Sequence, residues 1–443
     1  MAYARVMFSA QVAQARRDFA DRNPGSRRYY DEARQFMPGG HTRTVLTHAP
    51  FPLAFASGSG ATLIDVDGHS YIDLLGDYTA GLLGHSERRV LDPVMAALNN
   101  NVSVGGVHPA EATLSRLMCE RFGIDRVRFT NSGTEANLMA IATAMQATGR
   151  KKLMSFLGGY HGGVLYFVSG PAPWNSPYDF VIAPYNDAEG TEASIRQCGS
   201  DLAAIIIEPM QGSAGCLPAD AEFIRRTFAA ARSVGAVVIA DEVMTSRHGR
   251  RGMLSLMGGD AEFKADITTY GKYIGGGFSF GAFGGRADLL DQYDTSVEGG
   301  RVAAGKPMIA HAGTFNNNMA SMTAGCAVLG QVFTADVAAA HTARGDEFRA
   351  SVASVLARHS LPVSVTGFGS MMSLHASAQP PRTIMDVAHR DNDLQELLFM
   401  GLLKRGVYTA ARGMINVGLA HTDEQLAQTV DALDEALTVI RAN

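Results

Sequence analysis

Uninterrupted apolar runs, separated by helix-like stretches, mark the middle of the sequence. Ala203–Ile207 and Ala236–Ala240 are two such runs and contain apolar residues only. Strands that are buried on both faces of a parallel sheet have this pattern, whereas half-exposed strands alternate between apolar and polar residues. Because such runs alternate with helix-like stretches from about residue 90 to residue 290, we predict α/β layers around a mostly parallel sheet.

The two ends of the chain carry different patterns. The residues up to about Phe19 are typical of an amphipathic helix, and Ala61–Leu75 alternate around Asp67-Gly68, which indicates a β-hairpin. From about Ala335 onwards, helices and short strands mix, as in a separate and smaller α+β unit. The predicted limits are an N-terminal segment, a large domain and a C-terminal small domain at residues 1–75, 76–333 and 334–443.

Composition narrows the possible function classes. Of the 443 residues, 46% are hydrophobic and 18% are charged, as in ordinary globular proteins. The net charge of -5 offers no basic surplus for nucleic acid or an anionic membrane. The four cysteines form no CxxC pair, and no apolar run approaches the ~20 residues of a membrane span. We therefore expect a cytoplasmic protein without a disulfide framework.

The segment NSGTEAN, residues 131–137, lies where a predicted strand meets a predicted helix. Val127–Thr130 indicates the strand, and apolar residues at i, i+3, i+4 and i+7 from Leu138 indicate the helix. The helix therefore begins near Ser132, Gly133 and Thr134, where free N–H groups and the helix dipole favour a phosphate. Plain N-capping by the serine or the threonine explains the same residues without a ligand.

Three further segments carry groups that suit a flat, charged ligand. Asp241 follows the Ala236–Ala240 run, at the end of a strand where α/β sheets bind ligands. Lys272 ends a β-branched run just before three glycines, and a desolvated lysine shifts its pKa as a Schiff-base lysine must. Tyr160 and His161 lie between two glycine pairs, so the tyrosine ring could stack on a ligand ring. In isolation, each segment is equally compatible with a cap, a surface residue or a turn.

Taken together, these groups are the set that pyridoxal 5'-phosphate (PLP) requires: a phosphate cradle, a carboxylate, a stacking aromatic and an amine. In order and spacing the chain resembles the class III aminotransferases, which are fold type I PLP enzymes, over about residues 35–430. The motifs that carry the resemblance are NSGTEAN, GGYHGG, EPMQG, DEVMTSR, GKYIGGGFSFGAFGG and HAGTFNNN. The branch it resembles most includes glutamate-1-semialdehyde aminomutase and the aromatic β-amino acid (β-phenylalanine) aminotransferases.

The resemblance implies a fold and a set of residue roles. The fold is a large domain with a seven-stranded, mostly parallel sheet flanked by helices, and a small α+β domain built from both termini. Lys272 would hold PLP as a Schiff base and shuttle a proton, and Asp241 would keep the pyridine nitrogen protonated. Tyr160 would complete the catalytic set. The implied cofactor-binding residues are Ser132, Gly133, Thr134, Tyr160, His161, Glu208, Asp241, Val243, Lys272 and Thr314.

Within that set the resemblance distinguishes several contacts. Ser132, Gly133 and Thr134 would hold the phosphate, while Tyr160 and Val243 would cover the two faces of the ring. Glu208 resembles the acidic residue that the family places near the cofactor. Thr314 resembles a threonine that reaches the phosphate of the neighbouring subunit, which implies a homodimer with shared active sites. No metal is implied.

Two arginines resemble the carboxylate-binding residues of β-amino acid aminotransferases. Arg43 lies in PGGHTRTVLTH and Arg412 in YTAARGMIN, and arginine binds carboxylates bidentately. Tyr78 is a candidate for the side-chain pocket. Aminomutases have a loop like PGGVNSPVRAF and a segment like PSxFE at these places, so the chain departs from their pattern. The expected reaction is ping-pong transfer from a β-amino acid to a keto acid such as 2-oxoglutarate or pyruvate, with the aminomutase and an amine ω-transaminase as alternatives.

Other function classes have weaker support in the sequence. Gly277–Gly281 formally matches the GxSxG motif of serine hydrolases, but glycine-rich residues follow it where that motif requires a helix. No GxxxxGK[ST] motif and no HExxH motif is present, so phosphate-loop nucleotide binding and zincin chemistry lack support. A non-catalytic protein on the PLP fold stays possible in principle, although Lys272 and Asp241 argue against it.

Overall fold

The central apolar runs form neighbouring strands of one large sheet. A computed structural model describes residues 2–258, 263–295 and 308–442, and both runs, Ala203–Ile207 and Ala236–Ala240, are buried in it. Burial of whole runs, rather than of alternate residues, means that both faces of the sheet are covered.

The elements follow one another along the chain as a mixture of helices and strands. The strands are β1 (Phe55–Ser59), β2 (Thr62–Asp65), β3 (Ser70–Asp73), β4 (Arg126–Thr130), β5 (Lys152–Phe156), β6 (Asp179–Ala183), β7 (Leu202–Ile207), β8 (Met210–Gln211), β9 (Leu217–Pro218), β10 (Val237–Asp241), β11 (Ile267–Gly271), β12 (Gly281–Gly285), β13 (Ser364–Phe368), β14 (Met371–His375), β15 (Val407–Tyr408) and β16 (Met414–Asn416). The α-helices are α1 (Ala2–Arg22), α2 (Pro24–Ala33), α3 (Arg88–Asn100), α4 (Pro109–Phe122), α5 (Gly133–Thr148), α6 (Ala188–Cys198), α7 (Ala221–Ser233), α8 (Ala287–Leu290), α9 (Met319–Ala327), α10 (Ala335–Arg358), α11 (Ile384–Ala388), α12 (Asn392–Lys404) and α13 (Asp423–Ala442). A π-helical turn covers Val328–Val332, and 3₁₀ turns cover Pro38–Gly40, Thr44–Leu46, Gly76–Thr79, Gly199–Asp201, Thr245–Arg247, Leu254–Leu256, Lys272–Gly275 and Asp291–Tyr293.

The chain divides into two compact units. We call Arg88–Thr342 with Arg382–Ile384 the large unit, and Met1–Glu87, Ala343–Pro381 and Met385–Asn443 the small unit. The small unit therefore combines the two termini. The domain limits that the sequence predicts, at residues 1–75, 76–333 and 334–443, stay a prediction.

The large unit is built around a seven-stranded sheet in the order β4-β12-β11-β10-β7-β5-β6. Strand β12 runs antiparallel to both neighbours, and the pairs from β11 to β6 are parallel. Alternate residues of β7 enter two separate cores: Ile205 and Ile207 pack with α6 and α7, whereas Ala204 and Ile206 pack with α5. The predicted α/β fold with a mostly parallel seven-stranded sheet is confirmed.

The segment that formally matches the serine hydrolase motif has the wrong surroundings. Gly277–Gly281 lies after a 3₁₀ turn and leads directly into β12, not into a helix. The hydrolase motif exposes its serine on a sharp turn between a strand and a helix, and that turn is missing at Ser279. The serine hydrolase alternative is therefore wrong for this segment.

The small unit contains two short sheets and several long helices. Strands β2 and β3 pair antiparallel, with Thr62 opposite Ile72, so the predicted hairpin is confirmed, and the sheet continues in the order β1-β2-β3-β15. Strands β13, β14 and β16 form the second sheet. Helix α1 confirms the predicted N-terminal helix and contributes Phe8 and Val12 to a core with α12 and α13. No single helix in the described ranges is both long and apolar enough to cross a membrane.

Candidate functional site

A buried carboxylate at the end of β10 is the centre of the first candidate group, which lies in the large unit. Asp241 is only 5% exposed. Its Oδ2 accepts a hydrogen bond from Asn137 Nδ2 at 2.8 Å and lies 2.8 Å from His161 Nδ1, and its Oδ1 accepts from the Val243 N–H at 3.0 Å. These contacts fix the carboxylate at the carboxyl end of the parallel strands, where α/β sheets bind ligands.

Asn137 and Thr269 also contact Asp241, and the sequence motifs did not single them out as site residues. Asn137, on the second turn of α5, also donates to the carbonyl oxygen of His161 at 2.9 Å, and its Oδ1 accepts from Thr269 Oγ1 at 2.6 Å. Thr269 lies opposite Asp241 in the pairing of β10 with β11. Their positions could have indicated this role. An amide one turn into α5 and a hydroxyl on the strand next to β10 both reach the edge of the sheet at which Asp241 lies.

The loop after β5 brings Tyr160 and His161 to this group. His161 is buried and, besides its contact with Asp241, places Nε2 3.2 Å from Ser155 Oγ. Tyr160 donates its backbone N–H to Glu208 Oε2 at 2.9 Å, while its side chain is 37% exposed. The tyrosine ring meets Tyr166 edge-on, with the two ring centroids 5.9 Å apart. Tyr160 is therefore tied to this group through its backbone, while part of its side chain stays at the surface.

Glu208 is a second buried carboxyl group near Asp241. Burial raises the pKa of Glu208 well above its usual value, and the negative charge of Asp241 raises it further. Hydrogen bonds from the N–H groups of Tyr160 and Gly212 and the positive charge of Lys272 act in the opposite direction. The charges of Asp241 and Lys272 thus both act on Glu208, and a carboxyl group perturbed in this way is common at functional sites.

The predicted phosphate cradle stands at the start of α5. Ser132 caps the helix, since its side chain accepts from the Glu135 N–H at 3.2 Å, so the capping interpretation is observed. Glycines allow close packing around this helix start: a Cβ on Gly162 would lie 2.2 Å from Thr134 Oγ1, and a Cβ on Gly133 would lie 2.8 Å from Val243 Cγ1. A helix start lined by small residues can accept a phosphate between its N–H groups.

Lys272 follows β11 directly and adopts an unusual backbone conformation. Its φ of 53° lies in the left-handed region, which costs a non-glycine residue about 1 kcal/mol or more. The neighbouring strand β10 ends at Asp241, and Gly271 lies so close to Val243 that a Cβ would meet Cγ1 at 3.1 Å. Such strain persists where the surroundings impose it, and it concentrates at functional sites.

The arrangement of these residues fits PLP. Asp241 offers a buried, oriented carboxylate for a ring nitrogen, the α5 start offers N–H groups for a phosphate, and Lys272 offers an amine on the adjacent strand end. The glycines that face Val243 and Thr134 let these side chains pack closely at the same edge of the sheet. All of the predicted cofactor residues lie in the large unit.

Thr314 lies in a later segment of the large unit. It is exposed in the described segment that precedes α9, and Asn131 Nδ2 donates to Asn316 Oδ1 at 2.9 Å, which ties this segment to the start of α5. No contact within the described part of the chain tests the predicted role of Thr314 toward a neighbouring subunit. That role stays a prediction.

The second candidate group lies in the small unit and contains Arg43, Tyr78 and Arg412. The guanidinium carbons of Arg43 and Arg412 lie 5.4 Å and 5.0 Å from the centroid of the Tyr78 ring. The Tyr78 hydroxyl donates to the carbonyl oxygen of Val45 at 2.5 Å, which fixes the ring. Because a ring face attracts cations, Tyr78 holds both guanidinium groups near one another, and the cluster is a cationic site around an aromatic ring.

The two arginines differ in their own partners. Arg43 forms an ion pair with Asp77, which directly precedes Tyr78 in the chain. Arg412 donates only a weak contact to Met414 Sδ at 3.9 Å, and its buried Nε has no hydrogen-bond partner among the described residues. Because a buried guanidinium N–H without a partner costs free energy, Arg412 is suited to receive an anionic ligand.

An unusual turn carries this cluster. Gly76, Asp77, Tyr78 and Thr79 have consecutive positive φ values of 53°, 44°, 51° and 80°. Left-handed conformation over several non-glycine residues is strained, so neighbouring groups must hold it. Asp73 Oδ1 accepts from the N–H groups of Leu75 and Gly76 at 3.1 Å and 3.0 Å, which anchors the start of the turn.

Comparison with known proteins agrees with the geometry. Residues 46–437 match the model of the family described as aminotransferase class-III. The chain is 43% identical to a β-phenylalanine transaminase of Variovorax paradoxus, over 95% of this chain and 94% of that protein. The crystal structure of a β-phenylalanine aminotransferase from Variovorax paradoxus superposes with a TM-score of 0.93 at 42% identity, covering 98% of each chain. A glutamate-1-semialdehyde 2,1-aminomutase of Deinococcus radiodurans is 33% identical over 92% of this chain and 96% of its own length.

Proposed function

The chain belongs to the class III aminotransferases, which are PLP-dependent transaminases, and from that premise we propose that its amino donor is a β-amino acid. The proposed donor is aromatic and resembles β-phenylalanine, and the proposed acceptor is a 2-keto acid such as 2-oxoglutarate or pyruvate. The two substrates would react in turn, in a ping-pong sequence. The 43% identical relative that is named a β-phenylalanine transaminase supports the donor class.

We assign the roles within the large unit by the chemistry of each side chain. Lys272 holds the cofactor through its amine and, once released, moves a proton to and from the substrate carbon. Asp241 keeps the ring nitrogen protonated, and Asn137 and His161 orient that carboxylate. When bound, PLP supplies an electron sink for the carbon from which the proton leaves. Tyr160 and Val243 would cover the two faces of the ring.

The remaining proposed contacts concern the phosphate and the acidic residue. Ser132, Gly133 and Thr134 bind the phosphate with backbone N–H and hydroxyl groups, and Thr314 does so from a neighbouring subunit. Glu208, whose pKa is raised by burial, holds the Tyr160 backbone and so positions the stacking ring. These assignments require a homodimer, which we also propose, in the cytoplasm.

The observation that carries the substrate proposal is the pair of guanidinium groups on the Tyr78 ring. A β-amino acid carries one carboxylate, and Arg412 has an unfilled hydrogen-bonding position for one. Arginine binds a carboxylate through two parallel N–H groups, which gives orientation as well as affinity. We therefore propose that Arg412 and Arg43 recognise substrate carboxylates, with Tyr78 holding both.

A donor screen tests this proposal. We expect turnover of β-phenylalanine with a keto acid, and slower turnover of 1-phenylethylamine, which keeps the aryl group but lacks the carboxylate. Arg412→Ala should lower kcat/KM for β-phenylalanine by about 10- to 100-fold, because a charged hydrogen bond contributes about 1.5–3 kcal/mol. The same variant should leave 1-phenylethylamine turnover nearly unchanged.

Matched controls separate the outcomes of that screen. Arg88→Ala removes an exposed arginine that is ion-paired with Asp92, and we expect no change with either donor. Equal turnover of both donors by the wild-type protein would contradict the carboxylate proposal. Conversion of glutamate-1-semialdehyde without any keto acid would favour the aminomutase alternative instead.

A further inference from the structure

One acidic side chain belongs to the arginine cluster of the small unit. Asp77 forms an ion pair with Arg43, whereas Arg412, on the same Tyr78 ring, has no carboxylate partner among the described residues. The group of Arg43, Arg412 and Asp77 thus contains two cations and one anion. Its positive charges are not equivalent, because one is already neutralised by the chain itself.

The pair is accessible to a substrate. The side chains of Arg43 and Asp77 are 44% and 55% exposed, so both remain in contact with water. Asp77 lies in the left-handed turn, one residue before the buried Tyr78, and the strained backbone keeps it at the edge of the cluster. An exposed ion pair contributes little and exchanges readily, so another carboxylate can compete for Arg43.

We propose that Asp77 determines specificity by occupying Arg43 with an internal carboxylate. This inference rests on the proposed function, in which the two arginines bind substrate carboxylates. A ligand with one carboxylate then binds Arg412 and leaves the Arg43–Asp77 pair intact. A ligand with two carboxylates must displace Asp77 from Arg43 before it can use both arginines. Asp77 therefore acts against dicarboxylates relative to monocarboxylates and tunes the choice of acceptor.

Binding of two matched acids to the holoenzyme tests the proposal. Glutarate and pentanoate have the same number of carbons and differ in one carboxylate, and neither undergoes transamination. In Asp77→Asn we expect the Kd of glutarate to fall by about threefold to fivefold, as expected for loss of an exposed ion pair, and that of pentanoate to change by less than about twofold. Asparagine tolerates the left-handed region, so the turn can keep its conformation.

A double mutant isolates the route through Arg43. In an Arg43→Gln background, Asp77→Asn should no longer change the glutarate Kd, because its effect acts through that arginine. Asp92→Asn changes the net charge by the same amount at an exposed ion pair that is not part of the arginine cluster, and it should leave both dissociation constants unchanged. Isothermal titration calorimetry measures all of them on the same preparations.

The outcomes separate this inference from the function on which it rests. An equal fall for both acids, or an effect that persists without Arg43, would overturn the role of Asp77. An unchanged glutarate Kd in Asp77→Asn would overturn it as well. If Arg412→Ala binds both acids as the wild type does, the carboxylate site is misassigned and the proposed function is wrong.

Discussion

At the scale of single residues, the sequence allowed prediction of positions but not of partners. Asp241 follows an apolar strand and Ser132 precedes a helical pattern, so local rules locate both at the edge of the sheet where they are observed. Asn137 donates to Asp241 across 104 residues and accepts from Thr269 across 132 residues. Local patterns carry no information about such pairs, which depend on the order of the strands.

Glu242 shows how strongly surroundings separate two adjacent carboxyl groups. Unlike Asp241, it accepts from the N–H groups of Met253 and Leu254 at 2.8 Å and 3.2 Å, and from Thr245 Oγ1 at 3.1 Å. Burial nevertheless outweighs these bonds and raises its pKa to about 7. The sequence DE alone does not indicate that burial raises the pKa of Glu242.

This raised pKa predicts a pH dependence of stability. Between an unfolded pKa of 4.5 and a folded pKa of about 7, the folded protein keeps a proton that the unfolded chain has lost. The free energy of unfolding therefore falls as the pH rises through this window, by about 3 kcal/mol from this group. In Glu242→Gln this contribution is absent. Between pH 5 and pH 8 the free energy of unfolding of the variant, measured by urea titration, should therefore fall by about 3 kcal/mol less than that of the wild type.

The control for this experiment is a glutamate in water. Glu347 on α10 is exposed, and Glu347→Gln should keep the wild-type pH dependence. A wild-type slope in Glu242→Gln would mean that burial does not hold a proton on this carboxyl group.

At the scale of elements, strands and helices were predictable, whereas the functional turns were not. The apolar runs and the Asp67-Gly68 signal correspond to β7, β10 and the β2–β3 hairpin. Tyrosine and threonine rarely adopt the left-handed backbone conformation that Gly76–Thr79 shows. Hydrogen bonds from residues distant in sequence hold this turn, as when Asn416 Nδ2 donates to the Leu75 carbonyl oxygen at 2.7 Å. Strain that distant residues impose leaves no local signal.

The glycine loop between β5 and β6 allows a test of the phosphate cradle. Gly162 has a φ of 126°, and a Cβ there would lie 2.2 Å from Thr134 Oγ1, so Gly162→Ala must displace the start of α5. We expect the Kd of PLP to rise by about tenfold, which corresponds to about 1.4 kcal/mol of strain and lost contact. Absorbance titration of the apoprotein with PLP measures this change.

The neighbouring glycine is the matched control. A Cβ on Gly163 would meet nothing within 4 Å, so Gly163→Ala should bind PLP as the wild type does. Equal affinities in the two variants would argue against Thr134 as a phosphate ligand.

At the scale of the whole molecule, the fold class followed from a few apolar strands because parallel sheets bury them on both faces. The apolar pattern does not predict the antiparallel strand β12, since its residues Gly281–Gly285 include three glycines and show no apolar run. Its place between β4 and β11 depends on close approach: a Cβ on Gly281 would lie 2.1 Å from the Ser132 carbonyl oxygen. Only the assembled sheet reveals that requirement.

The proposed homodimer with shared active sites predicts complementation between two defective subunits. Lys272→Ala removes the proposed cofactor amine, and Thr314→Glu brings a negative charge to the phosphate, so each homodimer should be almost inactive. In a heterodimer, one site combines both defects, and the other combines an intact Lys272 with an intact Thr314 from the partner chain. Purified through two different tags, the heterodimer should therefore recover about half of the wild-type activity.

The control is the heterodimer of wild-type and Lys272→Ala subunits. It has one active site with an intact Lys272 and should also show about half of the wild-type activity. If the Thr314→Glu homodimer is inactive, recovery in both samples shows that Thr314 serves the site of the other subunit, because a threonine that serves its own site would leave both sites of the mixed dimer defective. Activity at the level of the parent homodimers would place Thr314 in its own subunit's site, and a fully active Thr314→Glu homodimer would place it outside the site. Thr314 is exposed on the described chain, which the proposed contact with a second subunit requires.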